Sequence, residues 1–154
     1  MRSMKILIIN GPNLNMLGKR EKGIYGNMTL EEINQLIAKE FASSDVIIDC
    51  FQSNEEGKLI TEIQLAEEAY DGVIINPGAY SHYSIAILDA IRAIAIPVIE
   101  VHLSNIHNRE EYRRKTVTGE GCLGIISGFG YYGYIMAVNA LINTLVSKMH
   151  WVKN

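Results

Sequence analysis

Glu100, His102 and Ser104 alternate with Val101 and Leu103 inside one short apolar run, so in an extended chain they share one face. A strand buried in a parallel sheet should be apolar on both faces. A carboxylate two residues from an imidazole is a common way to fix a histidine tautomer and tune an acid–base group. Residues 105–115 follow with His107, Arg109, Arg113, Arg114 and Lys115, cations suited to anchoring a carboxylate. Two other stretches break pattern in the same way. Asn10-Gly11-Pro12-Asn13-Leu14-Asn15 sets three asparagines around a Gly-Pro turn, and Asn76-Pro77-Gly78-Ala79-Tyr80-Ser81-His82 sets an amide, a hydroxyl and an imidazole around another. The segment 17–26 is polar, has glycines at 18, 23 and 26, and carries Arg20 and Tyr25. Such a segment suits a lid that delivers a guanidinium and a phenol onto a ligand. Each stretch also has a bland reading: a loop amide, a helix cap, a satisfied buried pair or a solvated loop.

Hydrophobic patterning shows what would position these groups. Continuous β-branched runs predict strands over 5–10, 46–51, 72–76, 97–103 and 123–127. Helical spacing predicts helices over 29–41, from 53–56 onward, over 84–94 and over 131–149. Thr29 with Glu32, and Ser53 with Glu56, read as capping boxes; Ser81 reads as the cap of the third helix. Residues 104–121 are polar and replace a long fourth crossover helix. Alternating strands and helices imply parallel βαβ units with helices on both faces. Five strands suit a flavodoxin-like three-layer α/β sandwich, a five-stranded parallel sheet in the order 2-1-3-4-5, whose ligands bind beyond the carboxyl ends of the strands. The polar exceptions all fall at those ends.

A length of 154 residues fits one domain, 1–154, and 48% hydrophobic content supplies a core. Fourteen Lys+Arg against seventeen Asp+Glu give a net charge of −3, which excludes a broad basic footprint for nucleic acid or anionic membrane. The apolar runs are strand-sized, far below a membrane span. The N-terminal apolar stretch is too short for a signal sequence, so a cytoplasmic protein is expected. Cys50 and Cys122 lack CxxC spacing and read as reduced, buried packing residues. Gly128-Phe129-Gly130-Tyr131-Tyr132-Gly133 matches GxGxxG, but no further strand and acidic residue follow to hold a ribose, so a tight strand-to-helix turn is expected. His102 and His107 match no zinc spacing.

Taken in order, four blocks carry a family resemblance: residues 6–26 (ILIINGPNLNMLGKREKGIYG), 75–91 (INPGAYSHYSIAILDAI), 97–116 (PVIEVHLSNIHNREEYRRKT) and 124–137 (GIISGFGYYGYIMA). The chain closely resembles the type II 3-dehydroquinate dehydratases of the shikimate pathway. That resemblance implies a flavodoxin-like fold, trimers assembled into dodecamers, and no metal or organic cofactor. It implies anti elimination of water from 3-dehydroquinate through an enolate, with Tyr25 as the base, acting as tyrosinate beside Arg20. By the same resemblance Asn13 holds a water at the enolate, and His102 is the acid, oriented by Glu100. Asn76, His82, Leu103, Ser104 and Arg113 become substrate-binding residues. The substrate carboxylate falls to the Leu103–Ser104 segment and ring hydroxyls to Arg113, which revises the simple anchor reading above. By the same resemblance Asp89 is expected to reach a neighbouring subunit's site. Two other readings compete: a flavodoxin-like protein that binds a nucleotide or flavin without dehydratase chemistry, and a scaffold subunit with a polar rim.

Overall fold

The computed structural model describes residues 2–19 and 27–147. Five strands, β1 (Met4–Asn10), β2 (Val46–Gln52), β3 (Gly72–Asn76), β4 (Val98–His102) and β5 (Gly124–Ser127), form a parallel sheet in the order β2-β1-β3-β4-β5. Helices α1 (Leu30–Glu40), α2 (Glu56–Ala69), α3 (Ile85–Ala93) and α4 (Tyr132–Val146) cover its faces. This is the expected flavodoxin-like topology. On one face Ile6, Ile8, Ile74 and Val101 pack with Ile33, Val138 and Leu141 of α1 and α4. On the other, Leu7, Ile9, Val73 and Val98 pack with Leu59, Ile63, Ile87 and Ile91 of α2 and α3. Because both faces of the central strands are buried, those strands read as continuous apolar runs rather than alternating ones.

Helix starts follow side-chain chemistry more closely than motif spacing. Thr29 caps α1 as expected, its hydroxyl accepting from the Glu32 N–H at 3.2 Å. Ser53 instead closes a turn by accepting from the Glu55 N–H at 3.0 Å, so α2 begins later, after Glu55. Ser84, not Ser81, caps α3, accepting from the Ile87 N–H at 3.0 Å. Ser81 lies fully buried in a 3-10 turn over Gly78–His82. The cysteines also depart from expectation: both thiols are free, but Cys50 is exposed and Cys122 only half-buried. Cys50 lies on β2, an edge strand whose side chains are nowhere fully covered. Residues 104–121 form three short 3-10 turns, Ile106–Asn108, Glu111–Arg113 and Thr118–Gly121. Among the described residues no helix is long and apolar enough to cross a membrane.

Where β1 and β3 end, their loops meet backbone to backbone. The Gly11 N–H donates to the Asn76 carbonyl at 2.8 Å, and a Cβ on Gly11 would lie 2.5 Å from the Pro77 carbonyl oxygen. That close approach requires glycine. Gly11→Ala is therefore expected to force the two loops apart and to cost about 1–3 kcal/mol of stability, measured as a lower Tm.

Candidate active site

The carboxyl ends of β1, β3 and β4 open onto a cavity of about 270 Å³. Leu14, Met16, Leu17 and Ile106 give it an apolar wall, while Asn13, Asn76, His82, His102, Ser104 and Arg113 supply polar groups. A small pocket with an apolar body and a few converging polar groups is the usual form of a small-molecule site.

β4 turns its odd residues toward α4 and its even residues toward the α2–α3 layer. Glu100 is therefore buried on that second face, 0% exposed, and His102 is 6% exposed at the cavity floor. Nε2 of His102 lies 2.9 Å from Oε2 of Glu100. An ionised carboxylate only accepts, so this nitrogen carries the hydrogen and Nδ1 is left as the ring's second exchange point. The end of β4 is clamped by the β5–α4 turn. Gly128 and Gly130 donate their N–H groups to the carbonyls of His102 and Leu103 at 3.2 and 2.9 Å. Ser127 Oγ donates to the Ser104 carbonyl at 2.9 Å. The GxGxxG stretch is thus a strand-to-helix turn, as expected, and spends these two N–H groups on β4 rather than on a phosphate.

The tips of β1 and β3 are set by amides. Asn13 is in the left-handed region, φ 70°, and its N–H donates to Asn54 Oδ1 at 3.0 Å. Gln52 Nε2 steadies the same turn through the Gly11 carbonyl at 3.1 Å and Asn54 Oδ1 at 3.2 Å. Asn54→Ala removes the acceptor that holds Asn13. It is expected to cost about 1 kcal/mol, one net hydrogen bond, read as a Tm lower by a few degrees. Asn76 accepts from the Gly78 N–H at 3.2 Å through Oδ1 and so presents Nδ2 to the Tyr134 hydroxyl at 3.0 Å. Tyr134 in turn donates to Asn10 Oδ1 at 2.5 Å. Burial pushes the Tyr134 phenol well above its ordinary range, which keeps it a donor.

His82 stands across the cavity from His102, the rings stacked with centroids 6.2 Å apart. Nδ1 of His82 lies 2.8 Å from the Lys115 carbonyl, an acceptor only, so Nδ1 carries the hydrogen and Nε2 accepts. Burial, and after it the neighbouring His102 and Arg113, hold His82 below the ordinary imidazole range despite the Lys115 carbonyl. Arg113 lines the cavity while its Nε donates to Glu110 at 3.0 Å. Arg109 lines it as well.

Asn13, Asn76, His82, His102, Leu103, Ser104 and Arg113 therefore share one cavity, with Glu100 directly behind His102. Asp89 does not join them: it is exposed on α3, outside the cavity lining. Arg20 and Tyr25 lie outside the described residues. Arg109 was among the cations read as a carboxylate anchor, whereas Asn54, Gln52 and Tyr134 were not singled out from sequence. Asn54 and Gln52 had a usable signal in the polar end of the second strand; Tyr134 is one more aromatic in an apolar helix and had none. Among the described residues no group of three or more His, Cys, Asp or Glu side chains could hold a metal ion.

A doubly wound sheet with a buried carboxylate–imidazole pair at the floor of a small cavity defines a flavodoxin-like α/β protein equipped for acid–base chemistry. Comparison narrows the class. The model of the family described as dehydroquinase class II matches residues 4–142. The chain is 67% identical over 143 residues to the 3-dehydroquinate dehydratase of Clostridium botulinum, spanning 93% of this chain and 97% of that one. It is 58% identical over 146 residues to that of Clostridium perfringens, spanning 94% and 100%. The crystal structure of type II dehydroquinase from Butyrivibrio crossotus matches with a TM-score of 0.89 at 51% identity, covering 91% of this chain and 98% of that one. The chain belongs to the class II dehydroquinase family.

Proposed function

We propose that this chain is a type II 3-dehydroquinate dehydratase, a hydro-lyase of the shikimate pathway that forms 3-dehydroshikimate and water on the way to aromatic amino acids. The observation that carries the reading is the Glu100–His102 pair, 2.9 Å apart, opening onto a cavity that also holds Asn76, His82 and Arg113. Tyr25, as tyrosinate beside Arg20, removes the proton alpha to the ketone. The pair of electrons moves into the enolate, which Asn13 stabilises through a water, and His102 protonates the departing hydroxyl so that water leaves. Asn76, His82 and Arg113 hold ring oxygens. The Leu103–Ser104 segment and the Ser104 hydroxyl hold the carboxylate.

The residues work as a single catalytic domain, 1–154, with no cofactor, in the cytoplasm. They work in a homo-oligomer, a dodecamer built as a tetramer of trimers, in which Asp89 reaches a neighbour's site. Ile125 and Phe129, 43% and 59% exposed on and beside the edge strand β5, support such burial between subunits, and sedimentation measures it.

Tyr25→Phe and Arg20→Ala are each expected to lower turnover at least about 10²-fold with circular dichroism unchanged. Borohydride added with substrate is expected to leave the enzyme active, since no lysine Schiff base forms; irreversible labelling would overturn the reading. His82 adds a pH test. As pH falls through its lowered pKa, Nε2 changes from acceptor to donor, so substrate binding is expected to weaken only on the acid side of 6.5. In His82→Asn that acid-side rise of KM is expected to disappear.

A further inference from the structure

Glu100 has no exposed surface, and both of its carboxylate oxygens are occupied. Oε2 accepts from His102 Nε2 at 2.9 Å and from Thr116 Oγ1 at 2.5 Å; Oε1 accepts from Thr118 Oγ1. The direction of the Thr116 bond follows from the carboxylate, which only accepts; the Thr116 oxygen in turn accepts from the Gly119 N–H at 3.0 Å and lies 3.3 Å from Thr118 Oγ1. Thr118 is itself fully buried. Both threonines come from the irregular segment that replaces a crossover helix, and both hydroxyls are aimed at one carboxylate.

We infer that Thr116 and Thr118 are positioning residues that hold Glu100 as an acceptor and thereby set the pH at which the Glu100–His102 pair exchanges its proton. The inference rests on His102 being the acid of the reaction proposed above. Among the described residues the other groups facing the pair are few. His82 stacks on His102, Arg113 and Arg109 stand across the cavity, and the Cys122 thiol lies behind Thr118, 3.5 Å from its carbonyl. The strand neighbours of Glu100 are Ile75 and Ile125, and α3 adds Ile87 and Ile91 to this layer.

Donors aimed at a carboxylate favour its charged form, so they lower the proton affinity of the coupled pair. Removing one makes the pair more basic, and a more basic acid delivers its proton less readily. In Thr116→Val and in Thr118→Val the alkaline limb of kcat is expected to move up by about one pH unit. kcat is expected to fall about tenfold, with KM nearly unchanged. Thr116→Ser and Thr118→Ser keep the hydroxyl and are expected to restore both. In unliganded protein, the His102 titration followed by imidazole NMR is expected to move up with the same variants. Valine variants with the wild-type limb and the wild-type titration would overturn the inference. So would serine variants that fall as far as valine, which would assign the effect to packing of the threonine methyl. A wild-type protein that leaves 3-dehydroquinate unchanged would overturn the proposed function instead, while the NMR titration still decides the role of the threonines.

Discussion

His102→Ala is expected to lower kcat for dehydration of 3-dehydroquinate by about 10²–10⁴-fold and to leave KM within a few-fold. The reasoning runs through the cavity floor. Nε2 of His102 is committed to Glu100 at 2.9 Å, so the ring can exchange a proton with a bound molecule only through Nδ1. Once the imidazole is gone, the ring of His82, stacked on it in the wild type, remains. Its Nδ1 is bound to the Lys115 carbonyl, and burial lowers its pKa. On the proposed mechanism His82 is therefore a poor substitute for His102. Binding survives because Asn76 and Arg113 are anchored elsewhere, Asn76 by Tyr134 and Arg113 by Glu110. Steady-state kinetics with circular dichroism separates this outcome from unfolding.

The second large effect is on stability as well as on rate. Glu100→Ala removes the common acceptor of His102, Thr116 and Thr118, of which His102 and Thr118 are buried and Thr116 half-buried. Donors stranded in this way, together with the void, are expected to cost about 3–5 kcal/mol, lowering Tm by about 10 °C. kcat is expected to fall by about 10²-fold, since nothing then fixes the orientation of the ring. Differential scanning calorimetry reads the first effect and the enone assay the second. A Tm within two or three degrees of wild type would show that the buried network contributes little to the fold.

The sheet was legible because buried parallel strands are continuous apolar runs, and Glu100 and His102 stood out against that background. Thr29 was legible as a cap because its partner, Glu32, is three residues away. Other local signals misled where tertiary contacts chose differently. Ser84 caps α3 and also donates to Glu56 at 2.6 Å, a bond across two helices that no spacing rule contains. Cys50 was misread because nothing in a strand's own residues says that it will lie at the edge. The supports of the site were the least legible. Tyr134 reaches Asn10 across 124 positions of sequence. Thr116 and Thr118 sit in a segment with no periodicity, where a buried hydroxyl looks like any loop hydroxyl. Arg20 and Tyr25 stood out in a polar, glycine-punctuated segment, and their catalytic roles rest on the family resemblance, since both lie outside the described residues.

Adding 3-dehydroquinate to purified protein and following the conjugated enone of 3-dehydroshikimate in the ultraviolet tests the proposed reaction most directly. The expected result is rapid enone formation by the wild-type protein without added cofactor, together with the loss described above in His102→Ala. Correctly folded wild-type protein giving no enone above background would contradict it, as would His102→Ala turning over at the wild-type rate.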